Sequence, residues 1–384
     1  MKFEFATATR IIFGPGTIQE LGALARTCGK RALVVAGSRE DFIQPVLDQL
    51  SASNVSWERF TVSEEPTTIH TMQGVRLARL SKCELVIGFG GGSVIDAAKA
   101  IAAMLTNPGE LLDYMEVIGL GKPLVNRSAP FIAIPTTAGT GSEVTRNAVL
   151  DSPEHHVKVS MRSPLMLPYI ALVDPELTHS APPAITASAG LDALTQVIEP
   201  YVSKAANPFT DAVCRQGILR AARSLKRAYQ NGDDAEARLD MSVASLFGGI
   251  ALANAKLGAV HGFAGVLGGT YHAPHGTICA CLLPIVTAVN IRILRQSSLD
   301  MLALGRYEEV AQWLTGNPNA SLQDGVDTLQ ELVQALEIPR LSSYGLKPAD
   351  FPSIIEQASK ASSMRGNPVQ LSPHEMEEIL RLAL

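Results

Sequence analysis

Apolar residues follow two rhythms along this chain. In the first half, short continuous apolar runs, ALVVAG (32–37), ELVIGFG (84–90), FIAIPTT (131–137) and YIALVD (169–174), alternate with helically spaced stretches at 16–27, 42–52, 69–80 and 94–105. Uninterrupted apolar strands between amphipathic helices predict a parallel sheet covered on both faces. Ligands of such a sheet bind in the crevice at the strand C-terminal ends. After Asp174 strand-like runs become scarce, and the spacing predicts helices over 184–203, 208–230, 234–257, 259–269, 277–294, 299–315, 321–336 and 374–384. Segment 174–183 holds Pro175, Pro182 and Pro183, which interrupt helix and strand alike. The expected organisation is an α/β domain over 1–178 and an all-helical domain over 179–384, with the active site between them.

Composition narrows the class of partner. Hydrophobic residues are 46% of the 384 and charged residues 18%, enough apolar material for sizeable cores and too little charge for disorder. The net charge is −5 and no long basic run occurs, which argues against nucleic acid or an anionic membrane as partner. The N-terminus lacks the apolar core of a signal peptide, and no stretch approaches a bilayer-spanning run of about 18 apolar residues. The five cysteines, Cys28, Cys83, Cys214, Cys279 and Cys281, read as reduced structural thiols of a cytoplasmic protein. Cys279-Ala-Cys281 is not C-x-x-C and points to no redox role.

Three segments carry candidate chemistry. In GFGGGSVIDAAKA (88–100) an apolar strand runs through Gly90, Gly91 and Gly92 into a helix opened by Ser93. Glycines admit a diphosphate close to the backbone, and the free N–H groups of a helix N-terminus hold the anion. Ser93 with Asp96 equally fits a helix capping box. In FIAIPTTAGTGSEVT (131–145), Thr136, Thr137, Thr140 and Ser142 offer hydroxyls at the end of the next strand, so two loops suited to one extended ligand would lie side by side. In GLDALTQVIEPYVS (190–203), Asp192 and Gln196 share one helical face at i, i+4, with His261 and His275 on later segments. An aspartate with separated histidines suits a divalent first-row ion. A buried Asp192 between Leu191, Leu194 and Val197 also needs a partner.

In order and spacing, IIFGPG, GGGSVIDAAKA, PTTAGTGSEVT, VDPELT, GLDALTQVIEPYVS, VHG, PHG and a late Asn367-Pro368 resemble the iron-containing (group III) alcohol dehydrogenase family almost end to end. The resemblance implies a dehydroquinate synthase-like fold, in which a Rossmann-like dinucleotide-binding domain precedes an all-helical metal and substrate domain. It also implies a homodimer. NAD(P) would lie along Gly90–Ser93 and loop 136–140, with Asp96 and Lys158 near the cleft. A divalent iron or zinc ion would be bound at Asp192, Gln196, His261 and His275. Bound to that ion, an alcohol would give hydride to the nicotinamide, and in reverse an aldehyde or ketone would be reduced.

Three departures from the family pattern qualify this expectation. The usual D-A-L-T-H reads Asp192-Ala193-Leu194-Thr195-Gln196, replacing an imidazole by a weaker amide donor. A second histidine commonly follows the first by four residues, where this chain has Gly265, leaving His272 as candidate proton relay. After the first dinucleotide strand, the carboxylate typical of NAD users is missing: Gly37, Ser38 and Arg39 stand there and predict preference for the 2′-phosphate of NADP(H), against Glu40 and Asp41. The expected substrate is a small alcohol or carbonyl compound in a pocket shaped by side chains such as Phe263, Tyr271 and Met364. Alternatives are a metal-independent reductase of an oxo acid, similar to maleylacetate reductase, with Lys158 or Arg146 holding the acid; a lyase of the dehydroquinate synthase type; and an inactive nucleotide-binding protein.

Overall fold

The computed structural model describes residues 2–155, 157–297 and 301–384. It divides into two compact units. One comprises Ala6–Thr137 with Gly141–Thr178; the other comprises the N-terminal residues through Phe5, Ala138–Thr140 and His179–Leu384.

The α/β unit is built on a six-stranded sheet. Its strands are β1 (Arg10–Phe13), β2 (Arg31–Ala36), β3 (Ser56–Thr61), β4 (Leu85–Gly90), β5 (Phe131–Pro135) and, at the end of the unit, β8 (Ile170–Val173). All pairings are parallel, in the order β1-β8-β5-β4-β2-β3. Helices α1 (Leu21–Cys28), α2 (Glu40–Ala52), α3 (Thr68–Leu80) and α4 (Gly92–Thr106) connect the strands. Alternation along β2 and β4 splits the core in two: Leu33, Val35 and Val86 face one apolar cluster, Ala32, Val34, Leu85 and Ile87 the other. Both faces are therefore covered, as the continuous apolar runs require. Strands β6 (Asn147–Ser152) and β7 (Val157–Arg162) form a separate antiparallel pair.

Four strands escape the apolar-run pattern. Strands β1 and β3 are sheet edges, and RIIF and SWERFT are exposed or half-buried throughout. An edge strand needs no continuous apolar run. The β6–β7 pair is short and mixed in polarity.

The helical unit comprises α5 (Pro183–Val202), α6 (Pro208–Gln230), α7 (Ala235–Asn254), α8 (Ala259–Tyr271), α9 (His275–Ser297), α10 (Met301–Thr315), α11 (Leu322–Ala335), α12 (Phe351–Lys360) and α13 (Pro373–Leu382). Residues 299 and 300 of the expected helix 299–315 lie outside the described residues. Helix α12 falls in a stretch for which the pattern predicts no helix. Helix α9 is long and apolar enough to cross a bilayer, but 72% of its most apolar window is buried, which makes it the core helix of the unit. Around α5 the helices approach closely: a Cβ at Gly190 would meet Leu225 Cδ1 of α6 at 2.2 Å, and one at Gly276 of α9 would meet the Ser188 carbonyl at 2.3 Å.

Candidate active site

In the α/β unit the strand order reverses between β2, whose other neighbour is β3, and β4, which leads on to β5. The register Ala36↔Phe89 therefore sets residues 37–39 beside the turn after β4. On its other side, Gly90↔Pro135 pairing and a Thr136 N–H to Gly90 carbonyl bond of 3.0 Å bring Thr136 and Thr137 alongside. A Cβ on Gly91 would lie 3.4 Å from Thr137 Oγ1, while one on Gly90 would collide with Val94 at 2.7 Å. A switch point with two small-residue loops and a helix N-terminus is the geometry that receives a dinucleotide.

Helix α4 corrects one expectation. Its N-cap is Gly91, with no side-chain cap, so Ser93 and Asp96 do not form a capping box. Asp96 instead turns toward the β6–β7 region, accepting from the Ser142 hydroxyl and, at 3.0 Å, from the Val149 N–H. Beside it lies Lys99, fully buried, donating to the Ser142 and Asn147 carbonyls at 2.7 Å and to Thr145 Oγ1 at 2.8 Å. Such bonding is what a buried ammonium requires. Lys158, on β7, sits 3.4 Å from Glu65.

In the loop after β2, a Cβ added at Gly37 would meet no atom within 4 Å, so the space beside it is open. Arg39 is exposed, bonded to Asp41 at 2.8 Å and stacked 5.2 Å from the Phe42 ring centre. Of the two acidic neighbours expected to repel a phosphate, Asp41 is thus already paired with Arg39, and Glu40 pairs with Arg59.

In the helical unit, α5, α8 and the first turns of α9 bring a tight set of donors together. Side-chain donor atoms of Asp192, His261, His275 and Cys279 all lie within 4.8 Å of one another. Asp192 is 2% exposed, and its Oδ1 has no hydrogen-bond partner; His261 Nε2 and His275 Nε2 stand 3.4 and 3.8 Å from it. Cys279 Sγ is 3.8 Å from His261 Nε2 and 3.7 Å from His275 Nε2. Behind His261, Glu199 Oε2 is 2.7 Å from Nδ1, and Glu199 Oε1 accepts the Val260 N–H at 2.7 Å. A carboxylate on Nδ1 fixes the ring so that Nε2 faces the other donors.

Electrostatics agree with the geometry. Burial pulls both imidazoles toward the neutral form, but the Cys279 sulfur and the Asp192 carboxylate overcome it. His261 ends well above its ordinary value and His275 rises to about 9. Burial likewise pushes Asp192 up, and the two histidines more than offset it, leaving the carboxyl lowered. The donors attract positive charge into a buried place, which fits a cation.

Of the residues expected at a metal, Asp192, His261 and His275 converge. Gln196 stands beside them but turns its amide nitrogen inward, donating to Asp192 Oδ2 at 3.2 Å and to the Gly139 carbonyl at 3.1 Å. His272 closes α8 in left-handed backbone (φ 52°), is exposed, and is not among the four donors. Gly265, one turn beyond His261, faces open space. Phe263, expected to shape a pocket, is fully buried in the helical core. Tyr271 donates to Asp350 at 2.7 Å, and Met364 packs against Gly262. Sequence reasoning missed Glu199 and Cys279, although Glu199 is seven residues after Asp192 and Cys279 four after His275, spacings that share a helical face.

Comparison with known proteins covers both halves of the chain. A family model described as iron-containing alcohol dehydrogenase matches residues 8–175, and a model of the C-terminal region of that family matches 186–384. Alcohol dehydrogenase 4 of Schizosaccharomyces pombe is 35% identical over 381 residues, covering 97% of this chain and 87% of that protein. The 1,3-propanediol dehydrogenase of Klebsiella pneumoniae is 34% identical over 390 residues, covering 99% and 98%. A crystal structure of 1,3-propanediol oxidoreductase superposes with a TM-score of 0.91 at 33% identity over all of both chains. With both halves matched and relatives similar along nearly their whole length, the chain belongs to the iron-containing alcohol dehydrogenase family, whose members are NAD(P)-dependent oxidoreductases interconverting alcohols and aldehydes.

Proposed function

We propose that this chain interconverts a small alcohol and its aldehyde or ketone by hydride transfer to and from NADP(H), assisted by a divalent ion at Asp192, His261 and His275. One observation carries this reading: a buried Asp192 Oδ1 without a hydrogen-bond partner faces two imidazole nitrogens in a set of donors 4.8 Å or less apart. When bound, the ion supplies Lewis acidity that favours loss of the alcohol proton and release of hydride. Asp192 presents the negative charge, and Glu199 holds the His261 ring in place through Nδ1. His275, with its side chain 41% exposed, lies on the solvent side of the set, where an alcohol proton has an outlet; His272 stands exposed three residues before it.

In the α/β unit, Gly90–Ser93 would receive the diphosphate at the α4 N-terminus, with Thr136 and Thr137 beside it. Gly37 leaves room for a 2′-phosphate, and Ser38 and Arg39 would hold it. The phosphate would exchange for Asp41 on the guanidinium. Arg39→Ala is then expected to lower kcat/KM with NADPH while leaving NADH turnover nearly unchanged; equal loss with both cofactors would show that the loop does not read the 2′ position.

The metal reading is tested with Asp192→Asn, which keeps the size of the side chain. Bound metal by elemental analysis and alcohol oxidation are both expected to be lost. A folded Asp192→Asn protein that retains either would contradict the assignment.

A further inference from the structure

Gln196 occupies a place where the family pattern supplies an imidazole, yet its amide is engaged elsewhere. Both of its N–H groups are spent, one on the Gly139 carbonyl and one on Asp192 Oδ2. That bond leaves Asp192 Oδ1 as the unpartnered oxygen facing the histidines. The fourth donor comes instead from α9. Cys279 lies one helical turn after His275, is buried, and has its sulfur within 3.8 Å of both Nε2 atoms. Cys281, in the same apolar cluster, donates its S–H to the Pro339 carbonyl at 3.0 Å and is not among the four donors.

Resting on the metal-dependent reading above, we propose that Cys279, and not Gln196, is the fourth protein ligand, giving an Asp-His-His-Cys site that selects zinc over iron(II). A thiolate is a soft donor, suited to zinc, whereas an all-oxygen-and-imidazole set discriminates less. Binding releases the thiol proton to solvent as the sulfur coordinates. The arrangement also accounts for the exchange of the family histidine for glutamine: with sulfur supplied from α9, position 196 is free to hold Asp192.

Cobalt(II) distinguishes the ligands, because a coordinated thiolate gives an intense near-ultraviolet sulfur-to-cobalt charge-transfer band that oxygen and nitrogen donors do not. Cobalt added to the metal-stripped full chain is expected to bind one-to-one and show that band. The band should vanish in Cys279→Ser and persist in Gln196→Ala and in Cys281→Ser. In competition with a chromophoric chelator, Cys279→Ser should weaken zinc by about 100-fold and iron(II) by clearly less. If Cys279→Ser does not fold, the wild-type band, which only a coordinated sulfur gives, still decides the matter. One-to-one cobalt binding without the band, a band that survives in Cys279→Ser, or equal zinc and iron(II) affinity in the wild type would overturn the proposal. No cobalt binding at all in folded wild-type protein would overturn the underlying metal reading instead.

Discussion

A carboxyl group taken out of water favours its neutral form unless charge or hydrogen bonds compensate, and two buried acids here answer that demand differently. Asp192 is compensated by His261 and His275. Glu143, in the α/β unit and 2% exposed, is not: burial pushes its pKa from 4.5 up to about 7, with a backbone hydrogen bond and the nearby Lys99 ammonium offsetting only part. Folded protein then binds more protons at this site than unfolded protein between those two values, so its contribution to stability falls as pH rises through the window and is constant above it. The difference is worth about 3 kcal/mol. Glu143→Gln lacks this titration, so denaturant unfolding of cofactor-free protein should show a gain over wild type that is absent near pH 4.5 and fully developed by pH 8. A gain independent of pH would mean that Glu143 is ionised in the fold. Sequence shows Glu143 only as one residue of a small, hydroxyl-rich loop; its burial depends on α4, β5 and β8, which no local pattern reveals. Asp192 was legible because an acid among Leu191, Leu194 and Val197 on a helix must find a partner. Cys279 was not, since a cysteine in an apolar run reads equally well as filling.

At the scale of elements, strands buried on both faces and long amphipathic helices were legible because burial writes a period into the sequence. Strands β1 and β3 and the β6–β7 pair were not, because half-exposed strands carry mixed patterns. Nor does a sequence tell how closely two helices approach, and the donor set depends on that. Helix α9 reaches α5 because Gly276, next to His275, lets its backbone lie against the Ser188 carbonyl. In Gly276→Ala the added methyl would sit 2.3 Å from that backbone oxygen, which has no rotamer to move. The first turn of α9 must shift, at a cost of about 1–3 kcal/mol. His275 and Cys279 would shift with it, while Asp192, on α5, would stay. The expected outcome is a folded protein by circular dichroism with sharply weaker zinc binding in a chelator competition. Unchanged affinity would show that the α5–α9 approach does not set the site.

Across the whole molecule, the two units divide the work by chemistry. The α/β unit offers what a dinucleotide needs, namely glycine turns, hydroxyls and a helix N-terminus at a strand-order reversal. The helical unit offers what a cation needs, namely a buried acid, two imidazoles and a thiol, with Glu199 holding one imidazole from behind. Membership of the iron-containing alcohol dehydrogenase family says what reaction unites them, and the metal-dependent account says how. The most direct test is a titration of turnover against metal. Protein stripped by chelation to below measurable metal, then given NADP+ and a primary alcohol, should be inactive, and activity should return in proportion to added zinc, saturating at one equivalent per chain. Full, stable turnover in the stripped protein would contradict the account and leave a metal-independent reductase as the reading of this fold.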